Sequence, residues 1–200
     1  AGTVGRAARS LTGFLGDGGR LFLTLAGAMS TAEIGRSLAE MIRAGHVAAI
    51  SCTGANLEED LFNLVAHDAY VKVPSHEDLS PENDLDFLNR HLNRVTDVCI
   101  PEEEAIRTLE HRLMKIWHAA QTNGSSSLPH RYVYQLLTSG VLEGHYQAKP
   151  SNSWVLAAAE VDLPLYVPGW EDSTLGNIFA ARCDEGLLEP NIVLSGTHYM

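Results

Sequence analysis

The sequence predicts an α/β fold in which parallel strands are joined by helices. Short apolar runs at Leu21–Leu25, 46–50 and 163–167 are typical of buried strands. Each run is followed by a turn of small or acidic residues and then by apolar residues at helical spacing. Because the carboxyl ends of parallel strands meet at one edge of a sheet, we expect these turns to share a ligand site.

The first strand-turn-helix unit starts at Leu21–Leu25. A short helix over residues 5–11 precedes it and is broken by the glycine-rich stretch 16–19. The turn at 26–31 consists of small residues, and the helix after it should end near Gly45. Its buried face is marked by Ile34, Leu38, Met41 and Ile42.

The second unit, from Ser51 to Asp60, is the one around which we expect the rest of the chain to be organised. Small residues open its turn and let a ligand approach the backbone: Thr53, Gly54 and Ala55. Asn56 is placed to cap the following helix. Three acids should then occupy the first turn of that helix: Glu58, Glu59 and Asp60.

Two interpretations of these three acids stay open. Carboxylates near a helix N-terminus interact favourably with its dipole, by about 0.3–1 kcal/mol each. Alternatively, one carboxylate accepts the hydroxyls of a ribose and another holds a cationic substrate. A phosphate group bound directly on this turn is disfavoured, because three acids would repel it.

Smaller elements are predicted between residues 70 and 100. Residues 70–73 should form a short strand, and 75–83 an exposed acidic loop. A helix should follow, on the evidence of Leu85, Leu88 and Leu92, and then an edge strand at 95–100.

Pro101 fits the first position of a long helix whose first turn carries the acids at 102–104. Its apolar stripe is Ile106, Leu109, Leu113, Ile116 and Trp117. A Gly/Ser-rich loop at 121–127 then joins two parts of a single domain covering residues 1–200.

Helices are predicted at 132–139 and Trp154–Glu160. The third crossing, at 168–177, has Ser173 as a plausible N-cap residue. Ordinary turn chemistry would also account for its Pro, Gly, Asp and Ser residues.

Composition limits the classes of function. The net charge of -11 argues against a surface that follows nucleic-acid phosphates and is compatible with a small cationic substrate. Three cysteines without a C-x-x-C pattern predict reduced thiols in a cytoplasm, and the histidines show no metal-ligand spacing. No apolar run reaches the length of a membrane span.

Two motifs resemble the deoxyhypusine synthase family. One is Thr53-Gly54-Ala55 followed by Glu58-Glu59-Asp60, and the other is the Pro-Gly-Trp-Glu-Asp-Ser-Thr-Leu-Gly sequence at 168–176. Together with Trp154–Glu160, the second motif is most similar to the bacterial deoxyhypusine synthase-like branch. The similarity runs in the same order along nearly the whole chain.

This resemblance implies an NAD-dependent transferase of polyamine metabolism on a Rossmann-like fold. Its partners would be spermidine or a related polyamine, and it would assemble as a homotetramer with sites at subunit interfaces. The aminobutyl group of spermidine would pass through an enzyme lysine to an amine. That acceptor would be putrescine or another small amine, giving a homospermidine-type product, or a protein lysine.

The resemblance also assigns roles to residues. NAD would lie along Thr53, Gly54, Ala55, Glu58, Glu59 and Asp172, with Gly27 and Thr31 from the first turn. Glu59 would also contact the substrate amine, and Asn177 and Trp170 would lie on the substrate side.

Three departures from the family pattern leave alternatives open. Asn177 stands where the family has an aspartate for the substrate amine, and the first turn lacks the family's Ser-Asn pattern. The catalytic lysine, in a Trp-Gly-Lys motif, should lie beyond Met200, so we expect the chain to be the N-terminal part of a longer polypeptide. An NAD-dependent amine dehydrogenase and a non-catalytic α/β binding protein are the alternatives.

Overall fold

Three parallel strands form the centre of the fold in the computed structural model, which describes residues 2–193. Strand β1 is Leu21–Leu25, β2 is Val47–Cys52 and β6 is Leu165–Tyr166, with β2 in the middle. The expected parallel arrangement is confirmed. The end of the chain at Met200, on which the expectation of a longer polypeptide depends, lies outside the described residues.

Helices pack around this sheet in the predicted order. After β1 comes α2 (Gly35–Arg43), after β2 comes α3 (Gly54–Ala66), and α8 (Thr174–Asp184) follows β6. Helix α7 (Trp154–Glu160) has the predicted bounds and packs against α2. Eleven of the thirteen residues of α3 are buried, so its polar side chains must find partners inside the protein.

A second, antiparallel sheet corrects the prediction for residues 95–100. Strands β4 (Leu92–Val95) and β5 (Val98–Pro101) form a hairpin, and β3 (Val71–Lys72) pairs with the other edge of β5. The predicted edge strand therefore contains a turn, in which Thr96 has a positive φ of 56°. Asp97, in the same turn, is a residue type that favours turns.

The neighbouring helix, α4 (Pro81–Asn89), starts inside the segment predicted as a loop. Ser80 caps it, and the Ser80 backbone N–H donates to Asn83 Oδ1 at 2.9 Å. Leu92, expected in this helix, belongs to β4 instead. Helix α4 has no buried residue, which explains why its apolar spacing was a weak guide to its bounds.

Pro101 lies one residue before the helical segment that it was predicted to start, whose first turn carries Glu102, Glu103 and Glu104 as expected. It is the last residue of β5, and a π-helical segment, Glu102–Arg107, separates it from α5 (Thr108–Thr122). Glu102 accepts hydrogen bonds from the Arg107 guanidinium, one of them at 3.1 Å. Its role is therefore not limited to the predicted interaction with the helix dipole. The predicted stripe is buried at Leu109, Leu113 and Trp117.

Two further helices are longer than predicted. Helix α1 covers Gly2–Gly16 and contains no buried residue. Helix α6 covers Pro129–Thr138, whereas the sequence predicted 132–139. The helix starts earlier because Pro129 occupies its first turn. None of the helices in the described part of the chain is both long and apolar enough to cross a membrane.

Close packing around α2 generates a stability prediction. A Cβ atom on Gly35 would lie 2.1 Å from the Asn152 backbone oxygen and 3.1 Å from Asp60 Oδ1. We expect Gly35→Ala to lower the free energy of unfolding by about 1–3 kcal/mol, because the backbone must move to relieve the overlap. Urea denaturation measures this change.

Gly144→Ala is the matched control, because a Cβ atom there meets nothing within 4 Å. Its free energy of unfolding should stay within about 0.5 kcal/mol of the original. Equal effects at the two positions would contradict the packing described for Gly35.

Candidate functional site

A cleft of about 800 Å³ lies beyond the carboxyl end of β1. One wall is the turn that follows β1, including Gly27 and Thr31, and the other is the antiparallel sheet with Lys72 and Asp97. This is the edge at which open parallel sheets bind their ligands. The cleft therefore contains the two first-turn residues predicted to contact a cofactor.

Asn56 holds the turn that lines the cleft. Its side chain is fully buried and donates to the Gly27 carbonyl oxygen at 2.7 Å, while Oδ1 accepts from the backbone N–H groups of Met29 (2.9 Å) and Ser30 (3.2 Å). The expectation that Asn56 caps α3 is wrong. Thr53 is the cap, and its hydroxyl oxygen accepts from the Asn56 backbone N–H at 3.2 Å.

The Thr53 hydroxyl also donates to the Gly27 carbonyl oxygen, at 2.6 Å. The two predicted small-residue turns, after β1 and after β2, are thus joined directly. Gly27 has a positive φ of 64° and open space at its Cβ position, so its backbone is accessible from the cleft.

The three acids of α3 lie beyond its first turn and are buried, which corrects their predicted position. Both oxygens of Glu58 are used: they accept from the backbone N–H groups of Thr174 (2.9 Å) and Leu175 (2.7 Å). These donors form the N-terminus of α8. Burial raises the pKa of Glu58 to about 7, against the lowering effect of these hydrogen bonds.

Glu59 lies behind the wall of the cleft. It is 5% exposed, and it accepts a hydrogen bond from the Thr31 hydroxyl, whose residue lines the cleft. Burial raises the pKa of Glu59. The carboxyl group of Glu59, which was predicted to contact the substrate, is therefore separated from the cleft by the side chain of Thr31.

Asp60 holds the N-terminus of α7. Its carboxylate accepts from the Ser153 hydroxyl at 2.5 Å and from the backbone N–H groups of Trp154 (3.3 Å) and Val155 (3.2 Å). Burial raises the pKa of Asp60 to about 6. Neither interpretation made from the sequence describes this role, because the helix dipoles involved belong to α7 and α8, not to α3.

A buried hydroxyl group next to these acids lacks a partner. Tyr70 Oη forms no hydrogen bond within the described part of the chain. Burial raises the pKa of Tyr70, and the nearby Glu59 carboxylate raises it further. The tyrosine therefore stays neutral and keeps a free donor beside Glu59.

The third predicted crossing touches the second. A Cβ atom on Gly54 would lie 2.6 Å from Ser173 Cβ, so the start of α3 lies against the start of α8. Ser173 caps α8 as predicted, accepting from the Gly176 backbone N–H at 3.1 Å. Asp172 is exposed next to this contact. The segments that follow β2 and β6 therefore meet at one edge of the sheet, as predicted.

The remaining predicted residues do not line the 800 Å³ cleft. Trp170 is 4% exposed and packs near Phe179, with ring centroids 6.0 Å apart. Asn177 lines a separate depression of about 530 Å³ together with Thr174 and Arg107. Thr53, Ala55 and Asp172 are also absent from the residues that line the cleft.

The sequence patterns did not predict that the antiparallel sheet forms a wall of the cleft. Lys72 and the stretch 95–98 were treated as parts of ordinary strands, yet they face the turn at 26–32 across the cleft. The turn-forming Asp97 was the available signal. Within residues 2–193, no group of three or more His, Cys, Asp or Glu side chains is arranged to hold a metal ion.

Comparisons with known proteins identify the relatives of this chain. The family model described as Deoxyhypusine synthase matches residues 1–194. "Probable deoxyhypusine synthase 1" of Methanosarcina acetivorans is 27% identical over 155 residues, which cover 78% of this chain and 44% of that protein. "Deoxyhypusine synthase-like protein" of Caulobacter vibrioides is 26% identical over 156 residues, covering 78% of this chain and 39% of that protein.

The solved structure named "Crystal Structure of a putative deoxyhypusine synthase from Entamoeba histolytica" has a similar fold. The TM-score is 0.56 at 13% sequence identity, and the match covers 88% of this chain and 49% of that one. The chain thus spans less than half the length of each of these three relatives.

The burial of Glu58 generates a pH prediction. Its pKa is raised from 4.5 to about 7 in the folded protein, so the folded state binds the proton more tightly than the unfolded state does. The free energy of unfolding should therefore fall as the pH rises from about 4.5 to about 7, with this group contributing at most about 1 kcal/mol per pH unit.

Glu58→Gln should remove this contribution, whatever it does to stability at a single pH. The measurement is urea denaturation at several pH values between about 4.5 and 7. Groups that are not coupled to Glu58, including His130, whose pKa burial lowers to about 4, cancel in the difference between variant and original. The exposed Glu104→Gln is the control, and an identical pH slope in all three proteins would refute the assignment.

Proposed function

The chain belongs to the deoxyhypusine synthase family, and we propose that the protein containing it is an NAD-dependent aminobutyl transferase acting on spermidine or a related polyamine. The observation that carries the proposal is the cleft at the sheet edge, with Gly27 and Thr31 in its wall and Glu59 directly behind. Since the chain spans less than half of its curated relatives, the activity is proposed for the whole protein.

The residues of the cleft fit a dinucleotide. Its volume of about 800 Å³ is within the range of cofactor sites. Small residues at Ala26, Gly27 and Ala28 let a ligand approach the backbone, and Thr31 offers a hydroxyl group. NAD, when bound, would accept a hydride from the substrate amine and later return it.

The acids beside the cleft fit a cationic substrate. Glu59 places a carboxyl oxygen within one hydrogen bond of Thr31, and Asp97 adds a carboxylate on the opposite wall, which also carries Lys72. A polyamine carries several positive charges and would be attracted by this field. The net charge of -11 adds to that attraction at longer range.

We assign roles on this basis. Gly27 and Thr31 would contact the cofactor from the wall of the cleft. Thr53, Gly54 and Ala55 do not line the cleft, and we assign them to the cofactor from the family resemblance, with Asp172 at the adjoining strand tip. Glu59 would orient the substrate amine through Thr31 or directly. Glu58 would support the site by fixing α8, since both of its oxygens already accept backbone hydrogen bonds.

The rest of the proposal concerns the whole protein. The three parallel strands would belong to a larger Rossmann-like sheet, and the catalytic lysine would lie further along the polypeptide. The assembly would be a homotetramer with its sites at subunit interfaces. Cys52, Cys99 and Cys183 are free, which supports a cytoplasmic location.

The transferase is tested with the full-length protein, NAD, spermidine and a set of amines. We expect a new aminobutylated product, detected by mass spectrometry, without net build-up of NADH. Putrescine as acceptor would give a homospermidine-type product, and a protein acceptor would gain the aminobutyl group on lysine. NADH accumulating with an aldehyde would indicate an amine dehydrogenase instead, and no heat and no thermal shift with NAD would support a non-catalytic binding protein.

Glu59→Gln provides the residue-level prediction. We expect kcat/KM for spermidine to fall about 10-fold or more, because a charged hydrogen-bonding group near the amine is lost. Steady-state kinetics measures the change, and the melting temperature shows whether the fold is kept. Glu104→Gln, an exposed acid, is the control. Unchanged kinetics in a folded Glu59→Gln protein would remove Glu59 from the site.

A further inference from the structure

A second cavity, of about 410 Å³, lies between α5 and α6. Its cationic side is formed by Arg112 and Lys115 of α5, with His111 one turn before Lys115 on the same helix. Gln135 of α6 is a polar group on the other side. It shares no lining residue with the 800 Å³ cleft, and no Asp or Glu is among the residues that line it. In a chain of net charge -11, this concentration of positive charge is a local exception.

The positive charges of this cavity are not neutralised by neighbours. Neither Arg112 nor Lys115 forms an ion pair with a carboxylate within residues 2–193. Arg107 and Arg182 behave differently, since both pair with Glu110, at 2.7 and 2.5 Å. The cavity thus keeps two cations available for an anion from solution.

Arg112 is already held in position. Its Nη1 donates to the Thr108 carbonyl oxygen at 2.7 Å, and its Nη2 lies 2.6 Å from His145 Nε2. A guanidinium group has five N–H donors, so three remain for a ligand. Because the side chain is ordered before binding, less conformational entropy is lost when an anion binds.

The shape and charge of the cavity define a ligand class. The two cations Arg112 and Lys115 favour a dianion over a monoanion. Ile116 and Val141 supply apolar surface, and Val141 is 53% exposed. We propose that this cavity binds a phosphate monoester with an apolar substituent. The proposal is independent of the function proposed for the cleft.

The test is isothermal titration calorimetry of the full-length protein with hexyl phosphate at low salt. We expect saturable binding that weakens as salt is added. Lys115→Ala should weaken it about 10-fold, the effect of losing one charge-assisted hydrogen bond. Lys149→Ala is the matched control, because it removes an exposed lysine elsewhere and should leave the affinity unchanged.

Two further probes separate the parts of the ligand. Inorganic phosphate should bind more weakly than hexyl phosphate, because it lacks the apolar group, and hexanoate should bind more weakly because it carries one charge. Equal affinity for hexanoate would overturn the phosphate assignment, and equal affinity for inorganic phosphate would overturn the apolar part. Absence of saturable hexyl phosphate binding, or equal effects of Lys115→Ala and Lys149→Ala, would overturn the site.

Discussion

Three consecutive buried carboxylates on α3 determine how the other elements are arranged. Glu58 binds the N-terminus of α8, Glu59 binds the turn after β1, and Asp60 binds the N-terminus of α7. A buried carboxylate without partners would cost several kcal/mol, so each of these bonds is required once α3 is buried. The acids point in different directions because successive residues of a helix are rotated by about 100°.

This arrangement explains how three acids can be buried directly behind the cleft. The backbone amides of α7 and α8 stabilise Asp60 and Glu58 without a positive side chain. The three carboxyl groups are therefore hydrogen-bonded in the interior without ion pairs to Lys or Arg among residues 2–193. Of these three acids, Glu59 is the one that is hydrogen-bonded to a residue lining the cleft, Thr31. Its role therefore differs from the roles of Glu58 and Asp60.

The sequence was a good guide where burial is strong and periodic. The parallel strands, the bounds of α7 and the cap at Ser173 follow from apolar runs and turn residues. The sequence was a poor guide where contacts with residues distant along the chain determine the local structure. The hairpin at 92–101 depends on pairing with β3, and the role of Asn56 depends on carbonyl groups far away in the sequence. The two interpretations of the acids, the dipole of their own helix or contacts with a ribose and a cationic substrate, both missed α7 and α8, because sequence spacing cannot show which other helix begins opposite a side chain.

The close spacing of Thr53, Asn56 and the three acids has an evolutionary consequence. Inserting or deleting one residue between them would turn every later side chain by about 100° and send each one to the wrong partner. Surface loops elsewhere in this protein can change length at little cost. Homologous sequences should therefore align through this segment without gaps, and a relative with a gap there must have reorganised its sheet edge.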